Sequence, residues 1–215
     1  MKWVGGREKM SPPPPSLHLP HKCSPREKRS PLNLPTAQPR TLAHTRSVSF
    51  LGYHREDGLW DIEAQLTDSK PEFFEVKGEK SWQPNEPIHQ MIIRLTIDDE
   101  LVVQDIWVDM MAVPHEKCPN AMDPMKKMIG AKIGSGWRKE IEKNLGEIKG
   151  CAHLRELLFN MATAAIQTLT PKLRARQSDQ IPAHLDKCST WRTDSDLVHR
   201  LYPMFYKPKD PSNLE

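Results

Sequence analysis

Two reactive side chains stand close together in the run Gly150-Cys-Ala-His-Leu-Arg-Glu-Leu-Leu158, where Cys151 and His153 open a segment with helical periodicity. A thiol in a helix's first turn faces unpaired backbone N–H groups and the positive end of the dipole, which favours thiolate. That environment suits a nucleophile or a metal ligand; the competing reading makes Cys151 the first small residue of an apolar stripe. His153 follows two residues on, roughly 200° around a regular helix, so the pair converges only if Cys151 precedes the regular turns. Zinc draws its ligands from Cys and His, and Cys118, Cys151, His153 and Cys188 are candidates, with His89 in reserve. Their spacing, with Cys151 33 positions after Cys118, carries no knuckle signature. A separate group is Asp61 and Glu63, which alternate onto one strand face with His54 nearby and suit acid/base work; the competing reading is a solvated face.

Elements must bring these residues together. Asp57-Gly58 between two alternating runs predicts a type I′ hairpin that pairs Arg55 with Trp60, Tyr53 with Ile62 and Leu51 with Ala64, with His54 opposite Asp61. Residues 70 to 87 read as a long connection with a short edge strand at Phe73 to Val76, placing Phe73, Phe74 and Trp82 to wall a pocket. A second hairpin has arms Ile88 to Ile97 and Leu101 to Met110, and His89 extends its apolar face opposite Met110. Helices are expected over Asp123 to Ile133, Gly136 to Leu145 and Cys151 to about Leu169, the last with Cys151, Leu154, Leu158, Met161, Ala165 and Thr168 on one stripe. Pro171 is read as lying just beyond it, Lys172 to Pro182 as an exposed link, and Leu185 to Tyr206 as an irregular arm. The fold class is therefore α+β: two antiparallel β-hairpins form a roughly four-stranded sheet covered on one face by about three helices.

Composition sets the outer limits. Of 215 residues, the first 45 hold nine of the 20 prolines, with eight basic and two acidic side chains, a net of +6. The remainder, with 23 basic and 26 acidic residues, has a net of −3. Residues 1–45 read as a disordered, Pro-rich basic tail, residues 46–207 as a single domain and residues 208–215 as a C-terminal tail. The tail lacks aromatics between Trp3 and Phe50 and any nucleic-acid motif, so no nucleic-acid partner is expected. No apolar run approaches the ~20 residues of a membrane span, and no signal peptide is recognisable, so a cytoplasmic protein with no membrane partner is expected. Four scattered cysteines in that compartment do not form a disulfide framework. No phosphate-cradling glycine loop, GxSxG elbow or HExxH is present, which weighs against nucleotide-dependent and common hydrolase chemistry.

Five motifs in order, Arg55-Glu-Asp-Gly-Leu-Trp-Asp-Ile-Glu-Ala-Gln-Leu-Thr-Asp-Ser-Lys70, Glu86-Pro-Ile-His-Gln-Met91, Cys118-Pro, Gly150-Cys-Ala-His-Leu and Leu185-Asp-Lys-Cys188, resemble a bacterial domain-of-unknown-function family catalogued under number two-eight-eight-nine. The resemblance covers about residues 45 to 207, and Ala152 stands where the family's pattern has Thr. It implies recurrent positions at Asp61, Glu63, His89, Cys118, Cys151, His153 and Cys188. The layout is also similar to iron–sulfur scaffold proteins, without their first cysteine ligand. An association with bacteria that degrade lignin-derived aromatics implies a lyase acting on a phenolic compound. Together these readings give a small-molecule enzyme doing acid/base, lyase-type chemistry without a cofactor, with a small, aromatic ligand as partner. Asp61 or Glu63 would be the base, and His89 or His153 would orient or donate a proton. The alternative is a zinc- or iron-binding structural or regulatory module using Cys118, Cys151, His153 and Cys188.

Overall fold

The structure, a computed structural model, describes residues 37–176, 181–182 and 184–208. The expected tail up to residue 36, Cys23 within it, and residues 209–215 lie outside the described residues. Backbone contacts divide the chain between Thr41 and Leu42, and the fold below is that of Leu42 onward. No helix among the described residues is long and apolar enough to cross a membrane.

The fold is α+β, as the patterning predicts. Strands β1 (Thr45–His54), β2 (Trp60–Ser69), β5 (Pro87–Ile97) and β6 (Val103–Ala112) form one antiparallel sheet in the order β1-β2-β5-β6. Between β2 and β5, strands β3 (Phe74–Val76) and β4 (Lys80–Trp82) pair only with each other. The expected edge strand is thus one arm of a small separate hairpin, in which Trp82 is buried with Phe74 stacked on it while Phe73 stays exposed. β1 also takes in Thr45, a residue the sequence reading gave to the tail.

The first turn differs from expectation, with consequences for the whole of β1. The Arg55 N–H donates to the Leu59 carbonyl and the Gly58 N–H to the Arg55 carbonyl, and Gly58 alone in the turn has positive φ, +86°. This is a three-residue loop closed by a bulge at glycine, not a two-residue type I′ turn. One extra residue shifts the pairing by one: His54 lies opposite Trp60, Tyr53 opposite Asp61, Gly52 opposite Ile62 and Phe50 opposite Ala64. Because side chains alternate, that slip moves Leu51 and Tyr53 to the outer face and Arg46, Phe50 and Gly52 to the inner one.

The inner face carries Ile62, Ala64 and Leu66 from β2, Met91, Ile93, Leu95 and Ile97 from β5, and Val103, Ile106 and Met110 from β6, all buried. Met110 pairs with Met91, two places from the expected His89, because the ladder starts at Ile97 opposite Val103 and slips by one between Thr96 and Ile97. Helices α1 (Trp137–Leu145) and α2 (Ala152–Arg176) cover this face. The α2 stripe Leu154, Leu158, Met161, Ala165 and Leu169 is fully buried, each large side chain worth about 1.5–3 kcal/mol. The indole N–H of Trp137 donates to the Leu158 carbonyl at 2.9 Å and pins α1 to α2.

Two helix boundaries were not foreseen. Asp123–Met128 forms only a 3-10 turn, because Gly130 at φ +83° ends it and the next residues bond back to the start of β6, Val103 N–H to Ala131 O at 2.9 Å and Ile133 N–H to Leu101 O at 2.8 Å. In contrast, α2 continues through Pro171 to Arg176, where a stop near Leu169 was expected. Tertiary contacts carry it past the proline: Leu173 packs on the core, and Lys172 forms a 2.7 Å ion pair with Asp99 while lying over the Trp60 ring. The short α3 (Asp196–Leu201) lies in the C-terminal arm, capped by the Ser195 hydroxyl, which accepts from Val198 N–H.

Candidate functional site

Alternation along β2 places Ile62, Ala64, Leu66 and then Asp68 on the inner face, so a carboxylate takes the position of the next apolar residue. Asp68 is 2% exposed. Its neighbours across the sheet are Arg46 on β1 and His89 on β5, which form one cross-strand row with it. Above the row sits the first turn of α2, which brings His153. Burying a carboxylate this fully requires partners, and Asp68 has several. Arg46 grips both oxygens, Nε to Oδ1 at 2.8 Å and Nη2 to Oδ2 at 2.9 Å, and its remaining amino group reaches Glu156 at 2.7 Å. His44 Nε2 lies 3.1 Å from Oδ1, His89 Nδ1 3.2 Å from Oδ2 and His153 Nε2 3.8 Å from Oδ2. The His89 and His153 rings lie 4.2 Å apart between centroids.

Cys151 completes the arrangement from the other side of His153. It precedes the first regular turn of α2, the condition under which the pair can converge, and its sulfur lies 3.8 Å from His153 Nδ1. Its carbonyl accepts from Arg155 N–H, so Cys151 is the helix N-cap residue, and the backbone N–H groups of Leu154 and His153 interact with its sulfur. A sulfur there fills the place of the usual capping oxygen.

The electrostatics follow from these contacts. Burial pushes Asp68 up, but the hydrogen bonds and charge of Arg46, helped by His89 and His44, outweigh it and hold the carboxyl below its usual range. Burial, then the charge of His153, pushes His89 down. The hydrogen bond to Cys151 raises His153 against the effect of burial. Burial opposes ionisation of the Cys151 thiol, yet His153 and the two backbone N–H groups bring its pKa below the ordinary value. Two histidines in ring contact are therefore driven in opposite directions. NMR titration of the imidazole protons is expected to give His89 an apparent pKa below that of His153, and Cys151→Ala should lower His153, since burial then acts on it without the opposing thiol. Equal values for the two rings in the native protein would contradict this geometry.

The structure sorts the sequence candidates. It brings His89, His153 and Cys151 together. Asp61 and Glu63 lie on the opposite face of the sheet, because odd positions of β2 point away from Ile62 and Asp68. There Asp61 accepts from the Thr96 hydroxyl at 2.7 Å, and Glu63 pairs with Arg94 at 2.7 Å. They cannot share a site with His89 and His153, as the expected base required. Cys118 is half-buried against the core in a 3-10 turn, and Cys188 is exposed before another. Among the described residues, the group of potential ligand atoms within 4.8 Å of one another is Asp68, His89 and His153; it includes none of the three cysteines expected in a zinc set. A cleft of about 420 Å³ lies elsewhere, lined by Ser189, Arg192, Asp194, Ser195, Asp196 and Tyr206. Asp68, Arg46 and His44 were missed, although the run Ile62, Ala64, Leu66, Asp68 carries the signal of an acid on an apolar face.

A family model described as "Protein of unknown function (DUF2889)" matches residues 44–167, a span that starts at His44 and contains every residue of this site. No curated protein and no solved structure matches the chain.

Proposed function

Because the chain belongs to the family described as Protein of unknown function (DUF2889), a description that assigns no chemistry, we propose its function from the site: acid/base catalysis of an elimination on a small organic molecule. The observation that carries this reading is a buried carboxylate shared by two histidines whose proton affinities are pushed apart. Groups separated in this way are suited to opposite roles at one pH. Asp68 holds a proton on His89 Nδ1, which leaves the Nε2 lone pair free as a base, while a protonated His153 is the acid. His89 takes a proton from carbon, the freed electron pair forms the C=C bond, the adjacent C–O bond breaks, and the leaving oxygen takes a proton from His153. Solvent then resets both rings. No cofactor is needed for these steps. The family's association with bacteria that degrade lignin-derived aromatics supports a phenolic substrate, and we place the reaction in the cytoplasm.

The same donors are of a type that divalent metals accept. The fit is poor in one respect: both oxygens of Asp68 are already held by Arg46, so a cation bound there would sit against a fixed guanidinium charge. Metal analysis of untagged protein separates the two readings. Near-stoichiometric zinc or iron, lost in Asp68→Asn, would replace the acid/base reading. The direct test screens β-hydroxy ketones with aryl substituents by NMR in deuterated water, following α-proton exchange and elimination. The expected result is turnover that falls about 10²- to 10⁴-fold in His89→Gln. A variant as fast as the native protein would overturn the assignment.

A further inference from the structure

We propose that Cys151 is a nucleophile of this site, set by His153 and Asp68 to add to the β-carbon of an α,β-unsaturated carbonyl compound. The proposal rests on the site of the acid/base reading and deepens it by naming a compound class, since eliminations beside a carbonyl yield such conjugated products.

The geometry is a chain of three groups. Cys151 Sγ lies 3.8 Å from His153 Nδ1, and the other nitrogen of the same ring lies 3.8 Å from Asp68 Oδ2. His153 can therefore receive the thiol proton on one side while a carboxylate steadies the resulting imidazolium on the other, the relation of nucleophile, base and orienting group. Asp68 is itself fixed by Arg46 through both oxygens and 2% exposed, so the orienting group does not wander. The helix end adds to this, because Cys151 is the N-cap residue, its carbonyl accepting from Arg155 N–H, at the positive end of the helix dipole. Cys151 is also half-buried rather than sealed in the core, so a small electrophile can reach it.

Thiolates are soft nucleophiles and prefer conjugate addition. In that step the S–C bond forms at the β-carbon, the C=C π pair moves to the α-carbon and carbonyl, and the α-carbon takes the proton that His153 accepted from the thiol. Nothing is oxidised and no group leaves. The reverse step releases the thiol unchanged.

The test uses the full chain and two probes, iodoacetamide and methyl vinyl ketone, with peptide mapping by mass spectrometry. Cys188, which is exposed, serves as the internal reference. With both probes Cys151 should react at least tenfold faster than Cys188 at neutral pH, despite its lower exposure, and its rate should persist below the ~8.5 midpoint of an ordinary thiol. His153→Gln should slow Cys151 about tenfold and move its pH profile up while leaving Cys188 unchanged. Cys151 reacting no faster than Cys188 in the native protein overturns the proposal, whatever the variant does. So does a folded His153→Gln protein with an unaltered Cys151 profile. These rates require no turnover, so a slow Cys151 leaves the His89 assignment standing, and a fully active His89→Gln leaves this one standing.

Discussion

Asp68→Asn is expected to destabilise the protein by about 3 kcal/mol, the low end of the ~3–5 that follows removal of one partner from a buried ion pair. The substitution keeps the shape and removes the charge that Arg46 clamps and that His44, His89 and His153 surround. The low end applies because the Arg46 side chain is 32% exposed and keeps its 2.7 Å contact with Glu156, so its charge is not stranded. The pH dependence has a definite sign. Arg46 outweighs burial and holds the folded Asp68 below its unfolded value of about 3.9, so the carboxylate contributes stability fully above that value and loses it as pH falls through the lower folded one. Urea unfolding should therefore show the full gap between native and variant protein at neutral pH and a narrowing gap in acid. A difference under ~1 kcal/mol at neutral pH would mean that Asp68 is not the keystone of this cluster.

The same cluster shows where a sequence discloses a site and where it does not. His89 was legible because it continues the odd positions of β5, whose buried members Met91, Ile93, Leu95 and Ile97 set the phase within one strand. Cys151 and His153 were legible because helical periodicity starts beside them. What a single strand cannot supply is phase relative to its neighbour. Arg46 belongs to the row of Asp68 and His89 only because the turn at Arg55 to Leu59 contains one residue more than a type I′ turn, and Asp57-Gly58 is compatible with either. With the shorter turn Arg46 would oppose Ser69 and point away from the site. Asp61 and Glu63 attracted an acid/base role for a related reason. Their spacing was read correctly as one face, but the covered face is fixed by the apolar even positions of β2, and those lead to Asp68.

A second large effect is expected at a residue with no chemistry. A Cβ added at Gly52 would lie 2.0 Å from Thr168 Oγ1, 2.7 Å from its Cγ2 and 2.9 Å from its Cβ, so β1 and α2 approach at a point where only glycine fits. Thr168 cannot easily turn aside, since its hydroxyl donates to the Ala164 carbonyl at 2.8 Å and the helix backbone is held by the core stripe. Gly52→Ala should cost about 1–3 kcal/mol, the usual range for overpacking, and Gly52→Val more. Thr168→Ala removes the two nearest atoms, so combining it with Gly52→Ala should restore part of the loss, with a coupling of about 0.5 kcal/mol or more in a double-mutant cycle. The consequence reaches the site because β1 carries Arg46 and α2 carries His153, and their separation is set in part at this contact. If the spacing matters, Gly52→Ala should draw the Arg46 charge, which lowers His153, away from that ring and so raise His153 in NMR titration, with the Cys151–His153 contact on its own helix turn intact. Strictly additive losses in the cycle would show that strand and helix do not meet at Thr168 and that the spacing is fixed elsewhere.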